Sequence, residues 1–120
     1  MATNAVQPGD VITITAGATI TSGSVVKVGQ ILGVALTDIA NGSRGAIAIR
    51  GVFAVPKVSA AVIAQGESLT WDVSVGKFDD NAATPATGDV TGAAAVAFEA
   101  AGNGVTELDV LFTGIPGTVA

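Results

Sequence analysis

The feature that most constrains the fold of this chain is a stretch of sequence that occurs twice. VALTDIANGS at residues 34–43 returns as VAFEAAGNGV at residues 96–105, and Asn103 follows Asn41 by 62 residues. Both copies contain an Asn-Gly pair, which favours the positive φ angles of a tight β-hairpin turn. β-Favouring runs follow both turns, AIAIRGVFAVP and ELDVLFTGIP. A chain of 120 residues that repeats itself in this way is predicted to contain two related β-units.

A second match identifies the start of each unit. ITSGSVVKV begins at Ile20 and resembles IAQGESLTW, which begins 43 residues later at Ile63. Because this offset is shorter than 62, the second unit is predicted to carry an insertion of about 20 residues. The turn-rich stretch GKFDDNAATPATGD places that insertion at about residues 76–92.

These matches divide the chain into an arm and one domain. QPGD at residues 7–10 is typical of a turn, and residues 1–8 before it are predicted to form an extended N-terminal arm. Residues 9–120 are predicted to form a single β domain, with unit one at about 9–56 and unit two at about 57–116. The domain is long enough to bury a substantial core.

The local patterns favour strands almost everywhere. VITIT at residues 11–15 alternates as a half-buried strand does, and similar short runs recur between glycine-rich turns. VTGAAAVAFEA at residues 90–100 has the alanine content of a helix, but its match to the first unit assigns residues 93–99 to a strand. We therefore predict an all-β fold, a small β-barrel or β-clip-like structure with little or no helix.

Composition excludes several classes of function. The chain has no cysteine, histidine or tyrosine, so it has neither a thiolate metal site nor an imidazole base. Its net charge is −5 and its five basic residues are scattered, which argues against nucleic acid as a partner. The longest uncharged run, VITITAGATITSGSVV, is shorter than the roughly 20 apolar residues of a spanning helix. The first ten residues resemble no signal peptide, so we expect synthesis in a cytoplasm and no membrane partner.

The carboxylates form no recognisable chemical motif. One group lies in the predicted insertion and consists of Asp79, Asp80 and Asp89 with the amide of Asn81. A separate pair, Glu67 and Asp72, flanks SLTW. Their spacing matches no calcium loop, and no feature predicts the pocket that would raise a carboxyl pKa for acid–base work. We predict structural or surface roles for them, with no catalytic, cofactor-binding or metal-binding residue in the chain.

Trp71 is the only tryptophan and is predicted to be a core or interface anchor. A mean hydropathy of +0.63 with only 12% charged residues indicates more apolar surface than one small barrel hides. That surplus predicts an assembly of several copies.

Three segments together resemble one family: GDVITITAGATITSGSVVKVGQILGVALTDIANGS, GVFAVPK and IAQGESLTWD. The family is that of small tailed-bacteriophage proteins, formerly a domain of unknown function, now described as capsid cement or decoration proteins. The resemblance runs from Gly9 to Asp72 and resumes from Ala95 to Gly114. Residues 76–92 look individual to this chain.

The resemblance implies a non-enzymatic protein that binds the outer surface of a phage head and stabilises contacts between major capsid subunits. It implies the major capsid protein as partner, a virion location, and a homo-oligomer in which a trimer is favoured and a dimer is possible. Two alternatives remain open: a trimeric β-clip-type ligand-binding module or nucleotide hydrolase, and a fibre or adhesin module.

The N-terminal arm is the predicted contact with the capsid or a neighbouring protomer. Its small and polar residues have no core-forming pattern, but such a segment can add as a strand to an exposed sheet edge. The predicted contact residues are Ala2, Thr3, Asn4, Ala5, Val6, Gln7 and Pro8.

Overall fold

The computed structural model describes residues 9–120, which form strands joined by turns and contain no helix. The predicted all-β, small barrel-like fold is confirmed. The eleven strands are β1 Val11–Thr15, β2 Val25–Val28, β3 Ile31–Ala35, β4 Arg44–Ala48, β5 Arg50–Pro56, β6 Thr70–Asp72, β7 Lys77–Asp79, β8 Val90–Thr91, β9 Ala95–Ala97, β10 Glu107–Thr113 and β11 Thr118–Val119.

The strands form three sheets in which all neighbouring strands are antiparallel. The strand orders are β1-β4-β3-β2, β5-β10-β9 and β11-β8-β6-β7. The longest ladder joins β5 to β10 over seven residue pairs, from Glu107 opposite Pro56 to Thr113 opposite Arg50. Since β6 to β9 separate β5 from β10 in the sequence, this ladder joins distant parts of the chain.

The same backbone pairing occurs in both halves. Ile20 and Ile39 exchange two backbone hydrogen bonds of 2.8 Å, and Ile63 and Ala101 exchange two of 2.8 and 2.9 Å. Two further N–H to C=O bonds recur at the same offsets: Gly23 to Ala35 and Ala35 to Ser24 in the first half, and Gly66 to Ala97 and Ala97 to Glu67 in the second. The two halves of the described chain thus share a pattern of backbone hydrogen bonds.

The sheet orders repeat in the same way. β5, β10 and β9 stand in the order of β1, β4 and β3. Ser68 bridges to Val96 of β9, so the segment that leads into β6 occupies the place of β2. The insertion adds β7 and β8, which both pair with β6.

The alanine-rich segment forms a strand, but a shorter one than predicted. β9 covers Ala95–Ala97 within the predicted span 93–99, and Ala93 and Ala94 lie in a turn. Gly92 has a φ of 91°, a left-handed conformation that breaks the chain just before this turn. Pairing with β10 therefore overrides the helix propensity of the alanines, and Gly92 limits the length of the strand.

Two hydrophobic clusters hold the sheets together. The larger one includes Phe78, Phe112 and Trp71 and combines residues from all three sheets. The smaller one is rich in isoleucine, including Ile39 and Ile47, and belongs to the first sheet. The predicted contact residues of the N-terminal arm, 2–8, lie outside the described residues.

Candidate interaction surface

The β5-β10-β9 sheet has one buried face and one exposed face. On its inner face, Leu108, Val110 and Phe112 of β10 are at most 3% exposed and belong to the main core. Because side chains alternate along a strand, the residues between them point away from the core. We call this exposed side the outer face; its residues are Arg50, Val52, Ala54, Pro56, Val96, Glu107, Asp109, Leu111 and Thr113.

Apolar side chains run across the middle of the outer face. Leu111 lies directly opposite Val52 on one side and Val96 on the other. Val52 is 43% exposed and Leu111 is 38% exposed. Phe98, just beyond β9 and 46% exposed, donates its backbone N–H to the carbonyl of Asp109. A contiguous exposed patch of this kind is typical of a protein contact surface.

A cavity of about 340 Å³ borders the outer face at Pro56. It is lined by residues 22–25, Pro56, Trp71 and Gly76. The lining offers two serine hydroxyls and no charged side chain. Such a lining provides neither an acid–base pair nor a set of metal ligands.

The predicted acidic groups are engaged in turns. Asp79 and Asp80 accept hydrogen bonds from the backbone N–H groups of Asp80 and Ala82. Glu67 accepts one from Ala64 and one from Asn81, which fastens the insertion to the second unit. Among the described residues, no group of three or more carboxylates could hold a metal ion, and no helix could span a membrane.

Asp72 and Asp89 organise the two ends of the insertion. The Ser74 hydroxyl donates a 2.7 Å hydrogen bond to Asp72 and lowers the pKa of this carboxyl below its usual value. The charged form therefore stabilises the turn above the unfolded-state pKa, and this contribution is lost as the pH falls through the folded value. Asp89 is only 3% exposed and accepts hydrogen bonds from the N–H groups of Val73 and Ala86.

Trp71 lies in the main hydrophobic core of the domain. It is 6% exposed, and its ring centroid is 4.8 Å from that of Phe78, its partner across the β6–β7 ladder. Its other neighbour in the sheet is Val90 of β8. Trp71 thus joins the insertion to the main core.

Lys57 is the most unusual residue that the sequence did not identify. Its side chain is completely buried, and its ammonium group lies within 3.4 Å of four backbone carbonyl oxygens. Two of these belong to Val58 and Ser59, and two to Gly102 and Val105 in the second Asn-Gly turn. The buried charge holds this turn against the start of the second unit.

The outer face was also missed, although the sequence contains a signal for it. In ELDVLFT, the buried positions Leu108, Val110 and Phe112 alternate, and Leu111 interrupts the polar positions between them. An apolar residue on the solvent side of an otherwise alternating strand indicates a contact surface.

The sequence was compared with family models and with curated proteins. No matching relative was found among curated proteins. The model of a family described as phage cement protein matches residues 6–112, which is most of the chain. The chain therefore belongs to the phage cement protein family, whose members are structural rather than catalytic proteins of the phage capsid.

Proposed function

We propose that this protein binds the outer surface of a phage head and stabilises contacts between neighbouring major capsid subunits, without enzymatic activity. The observation that carries the proposal is the family match over residues 6–112. Two features support it: an apolar outer face on a rigid antiparallel sheet, and a cavity whose lining lacks charged side chains. A cement protein acts by adding buried area across subunit boundaries, and a rigid sheet face is suited to that task.

We further propose that the protein is a homo-oligomer on the head, with a trimer favoured. The mean hydropathy of +0.63 and the large apolar residues that stay exposed in the single chain support assembly. A specific interface buries on the order of 1,200–2,000 Å² in total, which would cover much of this surface. Sedimentation of the free protein over a range of concentrations measures the state.

The experiment uses heads that lack this protein, prepared from a phage in which its gene is deleted. Added purified protein is expected to sediment with these heads and to raise the temperature at which they release DNA, because bound cement opposes subunit separation. Electron cryo-microscopy of the decorated heads would place it on the outer surface. Failure to bind, together with a thermal shift of the free protein on adding nucleotide, would favour the ligand-binding or hydrolase alternative. Binding to glycans in place of heads would favour the fibre or adhesin alternative.

We also propose that the N-terminal arm is a clamp that adds as a strand to a capsid subunit or to a neighbouring protomer. Deletion of residues 2–7 is expected to leave the unfolding midpoint almost unchanged and to weaken attachment to heads by about tenfold or more. The physical reason is that main-chain hydrogen bonds supply the affinity of an added strand, whereas a short polar segment has little to contribute to the core.

A full-length control separates strand addition from mere length. Thr3→Pro together with Ala5→Pro removes two backbone donors without shortening the arm, and it should weaken attachment as the deletion does. If both variants decorate heads as tightly as the unaltered protein, the arm is not the clamp.

A further inference from the structure

The two units differ in how they cover one equivalent row of residues. Four residues lie side by side across the first sheet, one on each strand, in the order Val11–Ala48–Val34–Val25. The equivalent row in the second sheet is Val52–Leu111–Val96–Ser68. Ala48 and Val34 are 5% and 3% exposed, whereas Leu111 at the equivalent position to Ala48 is 38% exposed. The same row is thus covered by the chain in one unit and open in the other.

The outer face also carries two carboxylates without partners. Glu107 and Asp109 lie on the central strand β10, and Asp109 precedes Leu111 by two residues on the same face. Neither carboxylate makes a hydrogen bond or an ion pair with any residue of the described chain. Covering such a face would remove water from these charges, which is costly unless the covering surface supplies donors. The partner must therefore bring a cation beside its apolar groups.

A second copy of this chain is poorly suited to supply that cation. Arg50 is the only basic residue of the outer face, and its guanidinium already donates to Asp10 and to the carbonyl of Thr113. Lys57 is buried, and Lys27, Arg44 and Lys77 lie on β2, β4 and β7 of the other two sheets. A face-to-face contact between two copies would therefore bury Glu107 and Asp109 of both copies with no free cation beside them. Like charges at the centre of an interface oppose association, so charge complementarity points to a different protein.

We propose that the outer face is the surface that docks on the major capsid protein, and that its docking surface there presents apolar side chains next to arginine or lysine. The proposal rests on the proposed function and adds the face and the chemistry of the partner. With strands about 4.8 Å apart and a rise of about 3.4 Å per residue, three strands of this length present on the order of 300 Å². That is less than the roughly 800 Å² that each partner contributes to a standard interface, so the face forms the centre of a wider contact.

The test measures binding of labelled protein to heads that lack it, at low and at high salt. Val52→Ser combined with Leu111→Ser is expected to weaken binding by about tenfold or more, because the apolar centre is lost. Asp109→Lys is expected to weaken it by a similar factor at low salt and less at high salt, because salt screens the new repulsion.

Matched controls alter the same chemistry elsewhere. Val62→Ser changes an exposed valine in a loop, and Asp80→Lys makes the same charge change in the insertion; both should bind within about twofold of the unaltered protein. The thermal midpoint of each variant is measured first, and the two outer-face substitutions are also made singly so that at least one folded variant is compared.

The outcomes distinguish this inference from the proposed function. If the unaltered protein does not bind heads, the proposed function fails. If it binds and the outer-face variants bind equally well, the docking face is assigned wrongly. If those variants lose self-association but keep their affinity for heads, the face is an interface between copies, and this inference is overturned.

Discussion

Replacement of Lys57 by methionine is expected to lower the free energy of unfolding by about 3–5 kcal/mol. The ammonium group donates to the carbonyl oxygens of Val58, Gly102 and Val105 at 2.8, 3.1 and 3.0 Å, with the carbonyl of Ser59 at 3.4 Å. Methionine has a similar unbranched chain but no donor. The partly buried carbonyl of Val105 would lose the only donor that the described residues give it, and the carbonyls of Val58, Ser59 and Gly102 would each keep a single backbone N–H partner. Urea denaturation, with the slope of the transition compared between variants, measures the change.

A matched variant controls for the loss of a positive charge. Lys77→Met removes an exposed lysine, and its effect should stay within about 0.5 kcal/mol. Lys57→Arg should be intermediate, because a planar guanidinium cannot direct its donors at several surrounding carbonyls as an ammonium does. Amide hydrogen exchange at Gly104, whose N–H donates to Ser59, should accelerate in Lys57→Met. An unchanged unfolding midpoint in Lys57→Met would contradict the structural role assigned to this lysine.

Replacement of Trp71 by alanine is also expected to lower the free energy of unfolding by about 3–5 kcal/mol. The indole is 6% exposed and packs against Phe78, so its removal leaves a cavity at the junction of the insertion with the core. Strands β7 and β8 both pair with β6 and should lose protection against hydrogen exchange together. Thermal and urea unfolding measure the global effect.

Trp71→Ala also distinguishes a core role of this tryptophan from an interface role. A core anchor should lower stability in the free protein, and Trp71→Phe should recover part of the loss because an aromatic ring still meets Phe78. Val62→Ala, at a position that is 65% exposed, should change stability by less than about 0.5 kcal/mol. A Trp71→Ala protein with unaltered stability but no self-association or head binding would instead identify Trp71 as an interface residue.

The architecture could be predicted from the sequence because its signals are local or repeated. Asn-Gly turns, alternating β-branched residues and Gly-rich breaks each favour one backbone conformation within a few residues. The repeat then carried this information to an ambiguous segment. Ala95–Ala97 forms a strand because it occupies the place of Gly33–Ala35, although its alanines favour a helix.

The surroundings of individual side chains could not be predicted in this way. Lys57 stands where the first unit has Ala16: the N–H of Ala16 donates to Ser43, and the N–H of Lys57 donates to Thr106. Nothing near Lys57 in the sequence indicates a buried charge, because two of its acceptors, in Gly102 and Val105, lie 45 and 48 residues away. A lysine that sequence patterns place on the surface is buried here only because the fold brings those carbonyls together.

The candidate docking face shows the same division. The sequence by itself determined that Val34 and Val96 occupy equivalent places in two β-units, because the repeated residues and turns set the pairing of both strands. Only the tertiary structure decided that Val34 is buried, at 3% exposure, whereas Val96 lies in an open row. In that row its neighbour Leu111 is 38% exposed. Pairing is specified by neighbours along the chain and across the ladder, but burial depends on which distant surface packs on the sheet.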